Sequence, residues 1–350
     1  MNRLPKFFQW CLAPLAVTYG IVIEIRNYLY NRRIFETIRF SVPVISVGNL
    51  TVGGTGKTPM VIFLANLIQN QSRSVGIVSR GYGRKSTGTV IVHDGSKICA
   101  SPQDAGDEPW LMASVLSAVP VIVDEDRCRG IQKQIDDFGV DIVLLDDAYQ
   151  HRRAGRDVDI LLFNANEPIE NYQLLPMGRL REPLRETRRA GIIILTKIQD
   201  DTSPEIAGII RKLSSIVQLK TSMNYHIYRW ENEKLTLAEI PKNELIFAFS
   251  GIGDPSSFQS ALEESNIQPV ALEAYPDHEK YSPSRVSKLQ TRIQNLNCKA
   301  VVTTEKDLIK LPKSFLESFS TYIIRMTVAF DGSDLSIIMR LIRYQILKSE

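Results

Sequence analysis

The sequence predicts an α/β fold: a P-loop NTPase-like parallel sheet flanked by helices, a second, smaller α/β domain behind it, and a hydrophobic helix in front. Three observations carry this. From residue 42 to about 197, short apolar β-branched runs alternate with helical stretches, the pattern of a parallel sheet covered on both faces. One run, Val42–Val47, leads into Thr51-Val52-Gly53-Gly54-Thr55-Gly56-Lys57-Thr58 and then a helical stretch, Met60–Ile68. Strand, glycine loop and helix in that order make a phosphate cradle. Polar motifs follow several other runs as well, and an open α/β sheet collects ligands beyond the carboxyl ends of its strands.

Composition bounds the rest. At 350 residues the chain has room for two domains, and 44% hydrophobic with 23% charged residues describes a folded protein. A net charge of +3 is too small to argue for nucleic acid, yet suits an anionic membrane surface or an acidic substrate. Cys11, Cys99, Cys128 and Cys298 are scattered without a CxxC pair. They read as isolated thiols of a reducing compartment, not a disulfide frame or a zinc site. The expected division is 1–33 for a membrane-associating helix, 34–222 for the P-loop core, 223–238 for a β linker and 239–350 for the smaller domain.

The first element is apolar. No charge interrupts Phe7–Ile23, a run just short of the roughly 18 apolar residues that indicate a membrane span. Pro14 is expected to kink it. Trp10 and Tyr19 suit an interface, and Arg26, Arg32 and Arg33 follow. A cleaved signal peptide is disfavoured, because only Arg3 and Lys6 precede the run and no small-residue cleavage site stands out. A buried first helix and a helix anchored on the inner leaflet both stay open.

The P-loop comes next. Gly53, Gly54 and Gly56 let backbone N–H groups turn around an anion, and the following helix adds its positive end. Lys57 would reach the outer phosphates, and the Thr58 hydroxyl would ligate Mg²⁺. Thr51 stands where the strict pattern has glycine; with Thr55 these residues form the expected nucleotide-binding set. After Val78, Ser79-Arg80-Gly81-Tyr82-Gly83-Arg84 reads as a tight turn with arginines for an anion. Asp107, in Gly106-Asp107-Glu108-Pro109, is either a helix cap or a general base. Ile142–Leu145 ends in Asp146-Asp147, a Walker-B-like pair suited to Mg²⁺, because adjacent carboxylates repel unless a cation neutralises them. Arg179, Arg181, Arg185, Arg188 and Arg189 crowd the loop 172–189, as a solvated surface or as a grip on a transferring phosphoryl group. Thr196-Lys197-Ile198-Gln199 is a poor guanine motif, with Gln199 where the essential acid belongs. Beyond residue 220 the reading is strands within Tyr225–Leu237, a strand at Leu245–Phe249, a Gly251–Pro255 turn, a helix at Ser256–Glu264 and a strand ending in Thr304-Glu305-Lys306-Asp307. His278, between acids on a loop, would orient a carboxylate or relay a proton.

Taken in order, these blocks resemble one family. Gly48-Asn49-Leu50 with the P-loop through Pro59, Ser79–Gly83, Gly106–Pro109, Asp146-Asp147-x-x-Gln150-His151, Leu180–Pro183, Gly251–Gly253, Asp277-His278 and Thr304–Asp307 look like the signatures of the tetraacyldisaccharide 4′-kinases of lipid A synthesis. The resemblance implies two α/β/α domains around a cleft, ATP and Mg²⁺ as cofactors, and a lipid disaccharide as acceptor. It further implies the cytoplasmic face of the inner membrane, a peripheral or monotopic placement, no nucleic acid and no obligate protein partner. Residue by residue, it makes Asp107 the base and His278 its partner. Lys57 and Arg181 become catalytic, Asp146 and Asp147 with Thr58 hold metal, and Asn49, Arg80, Glu108, Gln150, His151 and Arg181 contact substrate. The chain departs from the pattern at Ala148-Tyr149, where Gly-Phe is usual, and at Arg179, where proline is usual. Two other classes fit a bare P-loop. One is a GTPase or a metal-insertion or partitioning ATPase that works as a switch. The other is a nucleotide-binding scaffold, which would not need both Asp107 and the Asp146–Asp147 pair.

Overall fold

A computed structural model describes residues 6–198, 205–213, 216–241, 243–277 and 279–349, with backbone alone at 6–11 and 346–349. The chain opens with α1 (Lys6–Asn31), which continues as one helix through Pro14 where a kink was expected. Its buried positions, Ala16, Gly20, Ile23 and Asn27, recur every three or four residues and face the protein. Leu15, Val17, Ile21, Val22, Ile25 and Tyr28 are each more than half exposed on the other side. No described helix is long and apolar enough to cross a membrane.

The first sheet follows in chain order: β1 (Val44–Asn49), α2 (Lys57–Gln69), β2 (Val75–Ser79), β3 (Val90–Asp94), α3 (Pro102–Ala105), α4 (Asp107–Val115), β4 (Pro120–Val123), α5 (Arg127–Phe138), β5 (Ile142–Asp146), β6 (Val158–Asn164), β7 (Ile192–Thr196), α6 (Glu205–Leu213) and β8 (Gln218–Lys220). Strand order is β3-β4-β2-β5-β1-β6-β7-β8, parallel except for the β3 edge. The strands are buried on both faces. Ile45, Val47, Ile160 and Leu162 join the core under α2 and α4, whereas Leu161, Phe163, Ile193 and Leu195 pack with Ile206 and Ile210 of α6. Continuous apolar runs are what such two-sided burial demands. β1, the P-loop strand, lies centrally between β5 and β6, so Val47 registers with Asp146.

The second sheet contains β9 (Ser222–Glu231), β10 (Lys234–Leu237), β11 (Ile246–Ser250), β12 (Ala271–Ala274), β13 (Ala300–Thr304) and β14 (Ser320–Ala329), ordered β10-β9-β14-β13-β11-β12. With it go α7 (Pro255–Glu264), α8 (Pro283–Asn295), α9 (Glu305–Leu308) and α10 (Lys313–Ser318). The 223–238 segment is therefore an edge hairpin of this sheet. Finally α11 (Gly332–Ser349) returns to the first domain, where Ile338 and Ile342 are buried in the core beside Met60, Val61 and Leu64.

Candidate active site

The P-loop is shaped by its glycines. Gly56 caps α2 in the left-handed region (φ 82°), and no side chain caps the helix start. The first N–H groups of α2 thus point into the cleft as anion donors. Gly53 and Gly54 are exposed at the tip, whereas Thr51, Thr55 and Thr58 are buried. The Thr196 hydroxyl at the end of β7 donates to the Thr55 carbonyl at 3.0 Å, bracing the loop from beneath.

Lys57 sits at the head of α2 and donates to Asn49 Oδ1 at 3.2 Å, with Asp147 3.6 Å away. Asn49 is fully buried and holds the lysine. Gln150 donates to the Asn49 carbonyl at 2.9 Å and secures the end of the same strand.

The two acids after β5 part ways. Asp146 is buried, accepts from the Ser79 hydroxyl at 2.8 Å, and leaves Oδ1 without a protein partner. Burial, then the charges of Glu108 and Asp147, push its carboxyl up to about 6. Asp147 has a positive φ of 48° that turns its side chain toward Arg181, whose Nη1 donates to both carboxylate oxygens at 2.9 and 3.0 Å. Burial alone would raise this carboxyl, but Lys57 and Arg181 overcome it and hold it below the usual range. The neighbouring acids are thus neutralised partly by side-chain cations, which the expectation of a metal between them did not foresee.

Gly106 is the N-cap of α4, which makes Asp107 the first helical residue and not a cap. Asp107 pairs with Lys310 at 3.0 Å, and Glu108 accepts from Lys306 at 2.5 Å. Lys306 holds Glu108 well below the ordinary glutamate value, against the opposing effect of burial. Both lysines come from the second domain, which thereby reaches the two acids of α4. Neither was singled out from sequence, although Lys306 lies in a motif at a strand end, the one signal that pointed to it. Asp307 of the same motif is fully buried. It accepts from the Gly251 N–H, the Tyr281 hydroxyl and the Thr304 hydroxyl, which fixes the loops around residues 251 and 281. His278 lies outside the described residues; its neighbour Asp277 lies against Gly253.

The remaining expected contacts are distributed more widely. Arg80 is exposed at the end of β2. His151 is set with Asp126 and Cys128 at the start of α5. Burial and the Arg127 guanidinium hold His151 down to about 4, and burial pushes the Cys128 thiol up to about 11. The two departures from the family pattern also resolve. The Tyr149 ring is fully buried and its hydroxyl donates to the Glu186 carbonyl at 2.5 Å. Arg179 pairs with Glu167 at 3.0 Å and lies beside Gly53.

A cavity of about 1710 Å³ opens on the other side of the P-loop, lined among others by Gly54, Asn164, Asn166, Lys197, Tyr225 and Asp254. Lys197 and Asp254 pair at 3.1 Å across it, again joining the two domains. The cleft therefore has an acidic end at Asp107, Glu108 and Asp146 and a roomier end of mixed polar and apolar lining beyond Gly54.

A family model described as tetraacyldisaccharide-1-P 4′-kinase (LpxK) matches residues 8–343. A tetraacyldisaccharide 4′-kinase of Syntrophus aciditrophicus is 39% identical over 319 residues, covering 87% of this chain and 84% of that protein. One from Chlorobaculum tepidum is 39% identical over 311 residues, covering 86% of each. A crystal structure of LpxK from Aquifex aeolicus, described as an "apo" form in complex with ATP, superimposes with a TM-score of 0.78 at 31% identity, covering 97% of this chain and 99% of that one. With the P-loop, the acid pair and the α4 acids converging on one cleft, the chain belongs to the tetraacyldisaccharide 4′-kinase family.

Proposed function

We propose that this protein transfers the terminal phosphate of ATP to the 4′-hydroxyl of a tetraacyldisaccharide 1-phosphate. One observation carries the reading: Lys57 at a phosphate cradle, the Asp146–Asp147 pair and Glu108, the neighbour of Asp107 on α4, meet in a single cleft although they lie far apart in the chain. Phosphoryl transfer depends on positioning and charge neutralisation, and this cleft supplies both.

The α2 N-terminus and Lys57 grip the phosphates. The cavity beyond Gly54 is large enough for base and ribose. Mg²⁺ fits the donor set, since Asp146 keeps an unpartnered buried oxygen and Thr58 stands at the head of α2. Thr58, Asp146 and Asp147 would hold it, and when bound it would draw charge from the outer phosphates. A sugar hydroxyl is a poor nucleophile; Asp107, once freed from Lys310, takes its proton as the O–P bond forms. Arg181 is poised on Asp147 to move onto the transferring group, and His278 would steady Asp107 from the second domain.

The exposed apolar face of α1 beds on a lipid surface, with Arg32 and Arg33 beside anionic headgroups. This supports a peripheral placement on the cytoplasmic face of the inner membrane, next to a lipid acceptor. Incubation with labelled ATP and a lipid disaccharide 1-phosphate tests the whole reading. Label on the lipid supports the kinase, release of phosphate alone makes the protein a switch, and neither makes it a scaffold.

A further inference from the structure

We infer that Tyr19 of the lipid-facing helix is a positioning residue for Arg181, so that α1 helps to set the catalytic arginine. The inference rests on the kinase reading above.

The peptide at Arg181 is pinned from two sides. Its N–H donates to the Leu50 carbonyl at 2.7 Å, and the Val52 N–H donates to the Arg179 carbonyl at 2.8 Å, so the arginine loop is stitched to the P-loop as a short antiparallel bridge. Its own carbonyl accepts from the Tyr19 hydroxyl at 2.8 Å. The next residue, Glu182, is fully buried and ion-paired with Arg26 of α1 and with Arg189. Arg185 pairs with Glu24 of α1 at 2.5 Å, and Gly20 brings the helix against Leu174. One face of α1 thus grips residues 174–189.

The geometry has a direct chemical consequence. Arg181 must hold Asp147 at rest and swing a short way onto the transferring phosphoryl group. A guanidinium does this usefully only if its backbone is fixed, because misplacement of an ångström costs rate steeply. The P-loop bonds fix the N–H side of the residue and Tyr19 fixes the C=O side. Glu182 supports the same turn, since a buried carboxylate between two guanidinium groups resists displacement.

The test uses the full-length chain with a lipid acceptor in mixed micelles. Tyr19→Phe keeps the ring and removes one hydrogen bond, so kcat should fall about five-fold while the KM for ATP stays unchanged. In an Arg181→Ala background the same substitution should change kcat by less than about 1.5-fold, because it acts through the missing side chain. Arg26→Met should share this pattern and Arg26→Lys should restore the rate. Equal losses with and without Arg181, full activity of Tyr19→Phe, or an Arg26→Met defect that lysine does not rescue would each overturn the inference and leave the kinase reading standing. Absence of lipid phosphorylation by the wild-type chain overturns both.

Discussion

At the scale of single residues, Asp107 and Asp146 do different work. Asp107→Asn keeps the shape of the side chain and its place at the start of α4. Turnover should fall by roughly 10²–10⁴, the usual worth of a positioned base, while the KM for ATP moves little. Steady-state kinetics decide this, and wild-type turnover removes the base assignment. Asp146 titrates at about 6 in the folded chain against an ordinary 3.8. The folded state therefore keeps a proton that the unfolded chain releases between those values. Stability falls as pH rises from about 4 to about 6 and stays lower above. A dication replaces that proton, so the rise in unfolding temperature on adding MgCl₂ should be larger at pH 7.5 than at pH 5. Asp146→Asn should abolish the difference; an equal gain at both pH values in the wild type speaks against metal at this carboxyl. Gly48 owes its identity to packing. A Cβ there would stand 2.7 Å from the Tyr149 Cβ and 2.9 Å from its backbone nitrogen. Gly48→Ala should cost about 1–3 kcal/mol, the range of an overpacked core, as read by denaturant unfolding.

At the scale of elements, strands that carry chemistry were the most legible. β1 and β5 lie within two residues of the apolar runs that announce them, because burial on both faces leaves no polar position to confuse the pattern. Edge strands were missed. β3 pairs on one side only and breaks register between Ile91 and His93, and β8 has three residues. The strand, glycine turn and helix of the P-loop were readable from spacing, but the places of Lys306 and Lys310 were not, since their meaning lies in acids far away in the chain. That Asn49 holds Lys57 was not readable either, because a motif does not say which way a side chain points. For α1 the buried-helix reading describes one face, and the other face is left exposed. Deleting it would strip Arg26 from the buried Glu182, so truncation is a poor probe of membrane contact. Val17→Ser with Ile21→Ser and Ile25→Ser changes only the outer face. This variant should lose binding to anionic phospholipid vesicles in sedimentation and keep its turnover on a water-soluble, short-chain acceptor. Undiminished co-sedimentation would show that the outer face does not meet the bilayer.

At the scale of the whole molecule, three ion pairs among the described residues span the cleft: Lys306 with Glu108, Lys310 with Asp107 and Lys197 with Asp254. The second domain is held near the first by charges that nucleotide and acceptor would also use. Removing two of them in Lys306→Ala with Lys310→Ala should let the domains part. Small-angle scattering should give a larger radius of gyration for this variant without nucleotide, and a smaller increase with an ATP analogue present. Identical curves for variant and wild type would mean that the hairpin β9–β10 and α11 alone set the spacing.

The return of α11 to the first domain also bears on synthesis. Ile338 and Ile342 complete the apolar layer beneath the P-loop helix, and Phe330 packs at a tilt against Phe63 at 5.2 Å between ring centroids. That layer stays open on a nascent chain until residue 342 has cleared the ribosome. The P-loop helix, though translated early, receives this part of its apolar cover last.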